Sequence, residues 1–229
     1  MYETYSRERK SSIVQFHVVG TLEKELRESP MKEIVISTDN VDKLQEIKEI
    51  LADFSLEILS KKDVGLGDLE VIEDQDTLKG NALLKARAIY KRVHKSVLAD
   101  DTGLFVEALN GAPGVYSARY AGEDCSYKDN REKLLADLKG VPREKRGAYF
   151  ETCIVYIDER GEEHSVHGRV EGFILTEERG TGGFGYDAVF MPEGETRSFS
   201  EMREKEKNAI SHRKRALEAF VKFYRKTQV

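Results

Sequence analysis

Cysteine is scarce in this 229-residue chain, which has only Cys125 and Cys153. Two thiols cannot build a disulfide scaffold or a cysteine-based zinc site, and the composition suits a reducing cytoplasm. Long apolar runs are missing too: no stretch approaches the ~20 residues that span a bilayer. The first twenty residues lack the apolar core and small-residue cleavage site of a secretory signal. No GxxxxGK[ST] phosphate loop occurs. Nor does the chain carry the basic stripe of a general nucleic-acid binder, its net charge being −5. That charge is uneven. Residues 1–30 hold five basic and five acidic side chains, and residues 201–229 hold nine basic and four acidic (+5), so residues 31–200 carry −10. A short basic segment on an acidic body suits a few cations aimed at a small polyphosphate. A solvated helix face is the plainer alternative.

What is present is an ordinary globular composition, 39% hydrophobic and 34% charged, enough for one sizeable domain or two lobes sharing a cleft. Residues 1–30 stand apart as an appendage, with one short apolar run from Ile13 to Val19. From Met31 the pattern sharpens. The β-branched run 31–38 suits a buried strand, and Asn40 can cap a helix carrying Leu44, Ile47, Ile50 and Leu51. Thr77 can cap a second helix through Leu78, Ala82, Ala86, Ile89 and Val93. Val97–Ala99 reads as a strand leading into Asp100-Asp101-Thr102-Gly103, and 126–138 as a third helix. Residues 148–157 and 164–175 form a hairpin about Glu159-Arg160-Gly161. Ser211 can cap a last helix through Ala216, Leu217, Phe220, Val221 and Tyr224. Mixed helices and strands with a hairpin give an α/β fold on a mixed sheet.

Gly180-Thr181-Gly182-Gly183-Phe184-Gly185 matches the dinucleotide fingerprint GxGxxG, but that fingerprint needs a following helix. Tyr186–Pro192 instead reads as a strand stopped by proline. His164 and His167, three apart on a strand, face opposite sides and make no metal pair.

Three features carry chemistry. The turn Ser37-Thr38-Asp39-Asn40-Val41-Asp42-Lys43 leads from a strand into a helix N-terminus, whose free N–H groups and dipole favour an anion; Lys43 adds positive charge. Asp100-Asp101, at a strand end, with Glu73, Asp74 and Asp76 upstream, could hold Mg²⁺, which prefers oxygen ligands and bridges phosphates, while one carboxylate takes a proton from water. In Gly182–Asp187 the glycines let backbone approach a flat ligand, Phe184 or Tyr186 can stack on it, and Asp187 can accept from ring N–H groups. Lys207, His212 and Arg213 supply donors without reciprocal carboxylates beside them.

With Thr38-x-Asn40-x-x-Lys43, Glu73, Asn81-Ala82, Lys85-Ala86, Ala99–Leu104, Gly111–Tyr120, Gly180–Asp187 and Lys207-x-x-Ile210-Ser211-His212-Arg213 in this order, the chain resembles the Ham1-like inosine triphosphate pyrophosphatase family from Met31 to the last helix. The resemblance implies an elongated, two-lobed α/β fold around a central mixed sheet, with flanking helices and a nucleotide in the cleft, usually as a homodimer. It makes 31–229 a nucleoside triphosphate pyrophosphatase domain acting on non-standard purine nucleotides (inosine, deoxyinosine and xanthosine triphosphates). It implies that Thr38, Asp39, Asn40, Val41, Asp42, Lys43 and Lys85 grip the triphosphate, and that Glu73 and Asp101 bind Mg²⁺, with Asp101 also the proton acceptor. Thr102, Phe184, Gly185, Tyr186, Asp187, Lys207, His212 and Arg213 would contact the nucleotide. Departures are Asp42 for a common Gly, Thr102 for Ser and Ala188 for Pro. A Maf-type pyrophosphatase acting on pyrimidine triphosphates, against which the Gly-Gly-Phe-Gly-Tyr-Asp and Ser-His-Arg segments argue, and a non-catalytic nucleotide-binding protein are the alternatives.

Overall fold

The computed structural model describes residues 32–52, 54 and 56–227. The appendage 1–30, with its Ile13–Val19 run, and the proposed start at Met31 lie outside them. Apart from Lys32, the described residues belong to one compact unit, Glu33–Val229.

Among the described residues the strands are β1 (Lys32–Ile36), β2 (Leu56–Ser60), β3 (Val97–Val106), β4 (Pro113–Gly114), β5 (Gly147–Ile157), β6 (Glu163–Ile174) and β7 (Phe190–Pro192). They form one mixed sheet in the order β2-β1-β3-β5-β6-β7, with β4 also on β3. β1 runs parallel to β3; β3–β5, β5–β6 and β6–β7 are antiparallel. Among the described residues five α-helices flank it: α1 (Val41–Leu51), α2 (Leu78–Val93), α3 (Tyr127–Asp137), α4 (Glu204–Ile210) and α5 (His212–Thr227).

Helix starts follow their caps. Asn40, Thr77 and Ser126 accept from Lys43, Gly80 and Asp129 N–H groups, Ser126 as part of a capping box, and the Ser211 hydroxyl accepts from Lys214 N–H at 3.1 Å. Each satisfies an N–H that the helix leaves unpaired. The β5–β6 turn closes at Gly161, which has φ +84°.

Strand alternation decides what each face receives. On β3, Leu98 joins Ile34, Ile36, Ile47, Leu217 and Phe220 under α1 and α5. Its neighbours Val97 and Ala99 join Ala82, Ala86 and Ile89 under α2. A third cluster gathers Leu104, Leu134, Phe150, Phe190 and Phe199 beyond them.

Two expectations change. Asp100 and Asp101 are not at a strand end: β3 pairs with β5 without a break from Val97 to Val106, because the apolar Leu104-Phe105-Val106 continues the same buried ladder. Conversely, only Phe190–Pro192 of the run 186–192 pairs as strand. Gly183 and Gly185 adopt positive φ, and Asp187 and Val189 N–H bond back to Phe184 and Tyr186 carbonyls, so the chain turns there. No helix follows the glycines, as the dinucleotide fingerprint would need. Among the described residues no helix is long and apolar enough to cross a membrane.

Candidate active site

A cleft of about 310 Å³ opens between the α1 N-terminus, β3, the 115–119 turn, the 184–187 loop and the start of α5, within the size range of small-ligand sites. It is lined by every expected site residue except Val41 and Asp42. Val41 is 77% exposed, and Asp42 faces a neighbouring groove with Gln45 and Glu204. Both are helical residues just past the cap, and their side chains point away from the cleft.

Alternation along β3 separates the adjacent aspartates. Asp100 turns to the α1/α5 side, where its Oδ2 meets Lys43 Nζ and Arg213 Nη2, each at 3.4 Å. Burial opposes its charge, but Lys43, Arg213 and Lys85 hold its carboxyl far below the usual carboxylate range. Asp100 anchors cations. Asp101 turns to the α2 side: its Oδ1 lies 3.4 Å from Lys85 Nζ and its Oδ2 3.4 Å from Asn81 Nδ2. Burial raises its pKa, with Glu73 and Asp100 adding to the rise against Lys85 and Lys43. A carboxylate raised by its surroundings is placed to take a proton.

Glu73 Oε2 accepts from the same Lys85 ammonium at 3.0 Å. Asn81 Oδ1 accepts from Gln75 N–H at 3.0 Å and Arg119 Nη2 donates to the Glu73 carbonyl at 2.8 Å, so the loop bearing Glu73 is pinned from two sides. Burial lowers the Lys85 pKa, but Asp101, Glu73 and Asp100 outweigh it and the net shift is upward. Lys43 shifts down, chiefly by burial, despite Asp100.

The other end of the cleft corrects an expectation. Lys207 and Arg213 do have reciprocal carboxylates. Lys207 Nζ lies 2.7 Å from both Glu46 and Asp187, and Arg213 pairs with Glu46 and with Asp100. Glu46, 4% exposed, is the residue that sequence reasoning missed. It sits one turn past Lys43 within the apolar stripe of α1, and a charged residue in such a stripe was the available signal. Asp187 was expected to accept from a ligand's ring N–H; its Oδ2 instead accepts from Phe184 N–H at 2.9 Å and from Lys207. Tyr186 is buried, its hydroxyl donating to the Ser117 carbonyl at 2.9 Å. Of these two rings Phe184 is the accessible one, with Lys207 Nζ 4.6 Å and Arg213 Cζ 5.9 Å from its centroid.

His212 is stacked on Phe150 with centroids 4.7 Å apart. Burial, reinforced by Arg213 and Lys207, depresses its pKa well below 6.5, so it is neutral. Two buried polar atoms here, His212 Nδ1 and Arg213 Nε, have no partner among the described residues. Unpaired buried groups are costly unless a ligand satisfies them.

The oxygen donors Glu73 and Asp101, side by side across Lys85 and both facing the cleft, match the ligand preference of Mg²⁺. Elsewhere, among the described residues, Asp158, Glu162 and His164 bring three ligand-type atoms within 4.8 Å of one another. That cluster lies at the β5–β6 turn, and Arg160 already bridges its carboxylates. His164 packs on Phe223, while His167 bonds Glu151.

Fold and site together define an α/β protein whose cleft sets carboxylates and ammonium groups at one end and an aromatic ring with guanidinium and imidazole at the other. The chain belongs to the Ham1 family, whose model matches residues 34–223. It is 50% identical to a dITP/XTP pyrophosphatase of Thermoanaerobacter sp. (strain X514) over 184 residues, 80% of this chain and 92% of that protein. To the dITP/XTP pyrophosphatase of Bacillus subtilis (strain 168) it is 44% identical over 193 residues, 84% and 96% of the two chains. The Staphylococcus aureus Ham1 protein structure superposes with a TM-score of 0.76 at 36% identity, covering 86% of this chain and all of that one. A Coxiella burnetii HAM1 protein gives 0.78, also at 36% identity and with the same coverage.

Proposed function

We infer that this chain hydrolyses non-standard purine nucleoside triphosphates (inosine, deoxyinosine and xanthosine triphosphates) to the monophosphate and pyrophosphate. The observation that carries the inference is the raised carboxylate of Asp101 beside Glu73, in the same cleft as the α1 N-terminus and the Lys43 and Lys85 ammonium groups. The names of the relatives point the same way.

In this reading the N–H groups of α1, Lys43 and Lys85 hold the triphosphate. Water attacks the α-phosphorus, Asp101 takes its proton, and the bond from the α-phosphorus to the bridging oxygen breaks to release pyrophosphate. Glu73 and Asp101 would hold Mg²⁺, which supplies charge neutralisation on the phosphates. At the far end Phe184 stacks on the base, and the unpartnered Arg213 Nε–H donates to a 6-oxo group. Adenine offers a 6-amino donor there instead, and leaving polar groups unpaired against it gives discrimination of up to ~10⁴-fold.

The cytoplasmic homodimer belongs to the same proposal, and sedimentation of the pure protein tests the dimer. The function is tested by pyrophosphate release, with and without Mg²⁺, over inosine, xanthosine, adenosine, guanosine and uridine triphosphates. Turnover should need the metal and favour inosine and xanthosine. Preference for uridine triphosphate would install the Maf-type alternative, and no release from any of them a non-catalytic binder.

A further inference from the structure

Tyr127 is the first residue of α3 and lines the cleft, yet it lies outside every motif that marks the site. It is 41% exposed. Its hydroxyl oxygen accepts from Asn40 Nδ2 at 2.8 Å, across 87 residues of sequence. Asn40 is the cap of α1: its Oδ1 accepts from Lys43 N–H at 3.0 Å, and its own N–H donates to Thr38 Oγ1 at 3.2 Å. The Tyr127 ring lies 6.0 Å from that of Phe184, centroid to centroid. One side chain thus reaches both the anion-holding turn and the aromatic loop.

The proton count gives this contact direction. An amide with Oδ1 committed to the helix can meet the phenol only as donor, so the phenol is the acceptor. Its O–H hydrogen then has no acceptor among the described residues, and the hydroxyl stands beside Asn40 on a cleft that Thr38 and Lys43 also line. A phenol that accepts one hydrogen bond becomes a better donor in the next.

We propose that Tyr127 is a further substrate-binding residue: it clasps the Asn40 cap from the opposite wall and donates its free O–H to an oxygen of the bound triphosphate. The proposal rests on the triphosphate reading of this cleft, and it adds a wall to the phosphate end that no motif supplies.

Tyr127→Phe in the full-length protein removes the hydroxyl and keeps the ring. KM for inosine triphosphate should rise ~10- to 100-fold, the size of one hydrogen bond to a charged group, with kcat within about twofold. The calorimetric Kd of inorganic tripolyphosphate, which has no base, should rise by the same factor. A wild-type Kd for tripolyphosphate in the variant overturns the proposal, as does an equal loss in kcat with KM unchanged. Tripolyphosphate binding needs no turnover. Absence of pyrophosphate release from the wild-type protein would therefore count against the proposed reaction alone, leaving the Tyr127 comparison readable.

Discussion

Two neighbouring aspartates show how much one residue of register decides. Asp100 and Asp101 share a composition and a strand, but the pleat gives Asp100 to Lys43 and Arg213 and Asp101 to Lys85 and Asn81. Asp101→Asn should lower kcat by at least ~10²-fold, the scale of a lost general base, with a smaller change in KM because Lys43 and the α1 N-terminus remain; near-normal kcat in the folded variant would remove Asp101 from the role. Arg213 is a different case. It is 1% exposed and paired with Glu46 and Asp100, so Arg213→Ala strands buried carboxylates. Breaking buried pairs costs about 3–5 kcal/mol, and urea unfolding should show a loss of that order. On the fraction that remains folded, kcat/KM should fall more for inosine than for adenosine triphosphate. Equal losses on both would confine Arg213 to the fold.

Among the elements, β6 and α5 approach closely at Gly168, where a Cβ would lie 2.2 Å from both the His212 carbonyl oxygen and the Ala216 nitrogen. Backbone atoms cannot swing aside, so Gly168→Ala should push α5 off the sheet. We expect at least ~2 kcal/mol of destabilisation in a denaturant titration, and the shift should reach His212 at the start of the same helix; a stability within ~0.5 kcal/mol of wild type would mean that the two elements have slack. Nothing in the local sequence around Gly168 announces this contact, because it depends on a helix more than forty residues away. Signals carried within a few residues were legible: the Asn40, Thr77, Ser126 and Ser211 caps, the apolar stripes of α1, α2 and α5, and the turn at Gly161. Signals that depend on a distant partner were not. Glu46 shows in the sequence only as a charge within the apolar stripe of α1, and its partners Lys207 and Arg213 do not show at all; Tyr127 reads as an exposed aromatic until Asn40 faces it. The 186–192 run misled for a related reason. Its apolar residues are buried by a loop folding back, not by a ladder, and hydrophobicity alone does not distinguish these.

At the scale of the whole molecule, buried His212 ties stability to pH. Its folded pKa lies well below the ordinary 6.5, so its contribution is present above pH 6.5 and is lost as pH falls below that value, where only the unfolded chain takes up the proton. The slope there is about 1.4 kcal/mol per pH unit. Between pH 7.5 and 5.5 the wild-type protein should lose about 1.4 kcal/mol more stability than His212→Gln; parallel losses would show that His212 is protonated in the folded state. A chain starting at Met31 should also fold and keep its activity, if the appendage is as separate as its sequence suggests; a large drop in Tm on truncation would show that 1–30 contributes to the core. The joining of Glu46 to Lys207 and Arg213, across 161 and 167 residues, has a consequence in time as well as in space. The cleft cannot be assembled from an early fragment of the chain, since its two ends meet only when α5 docks against α1. Site formation is then the same event as completion of the fold. A ligand that occupies the cleft holds the first and last described helices together at once, and should delay unfolding of the entire unit, not only the loops it touches.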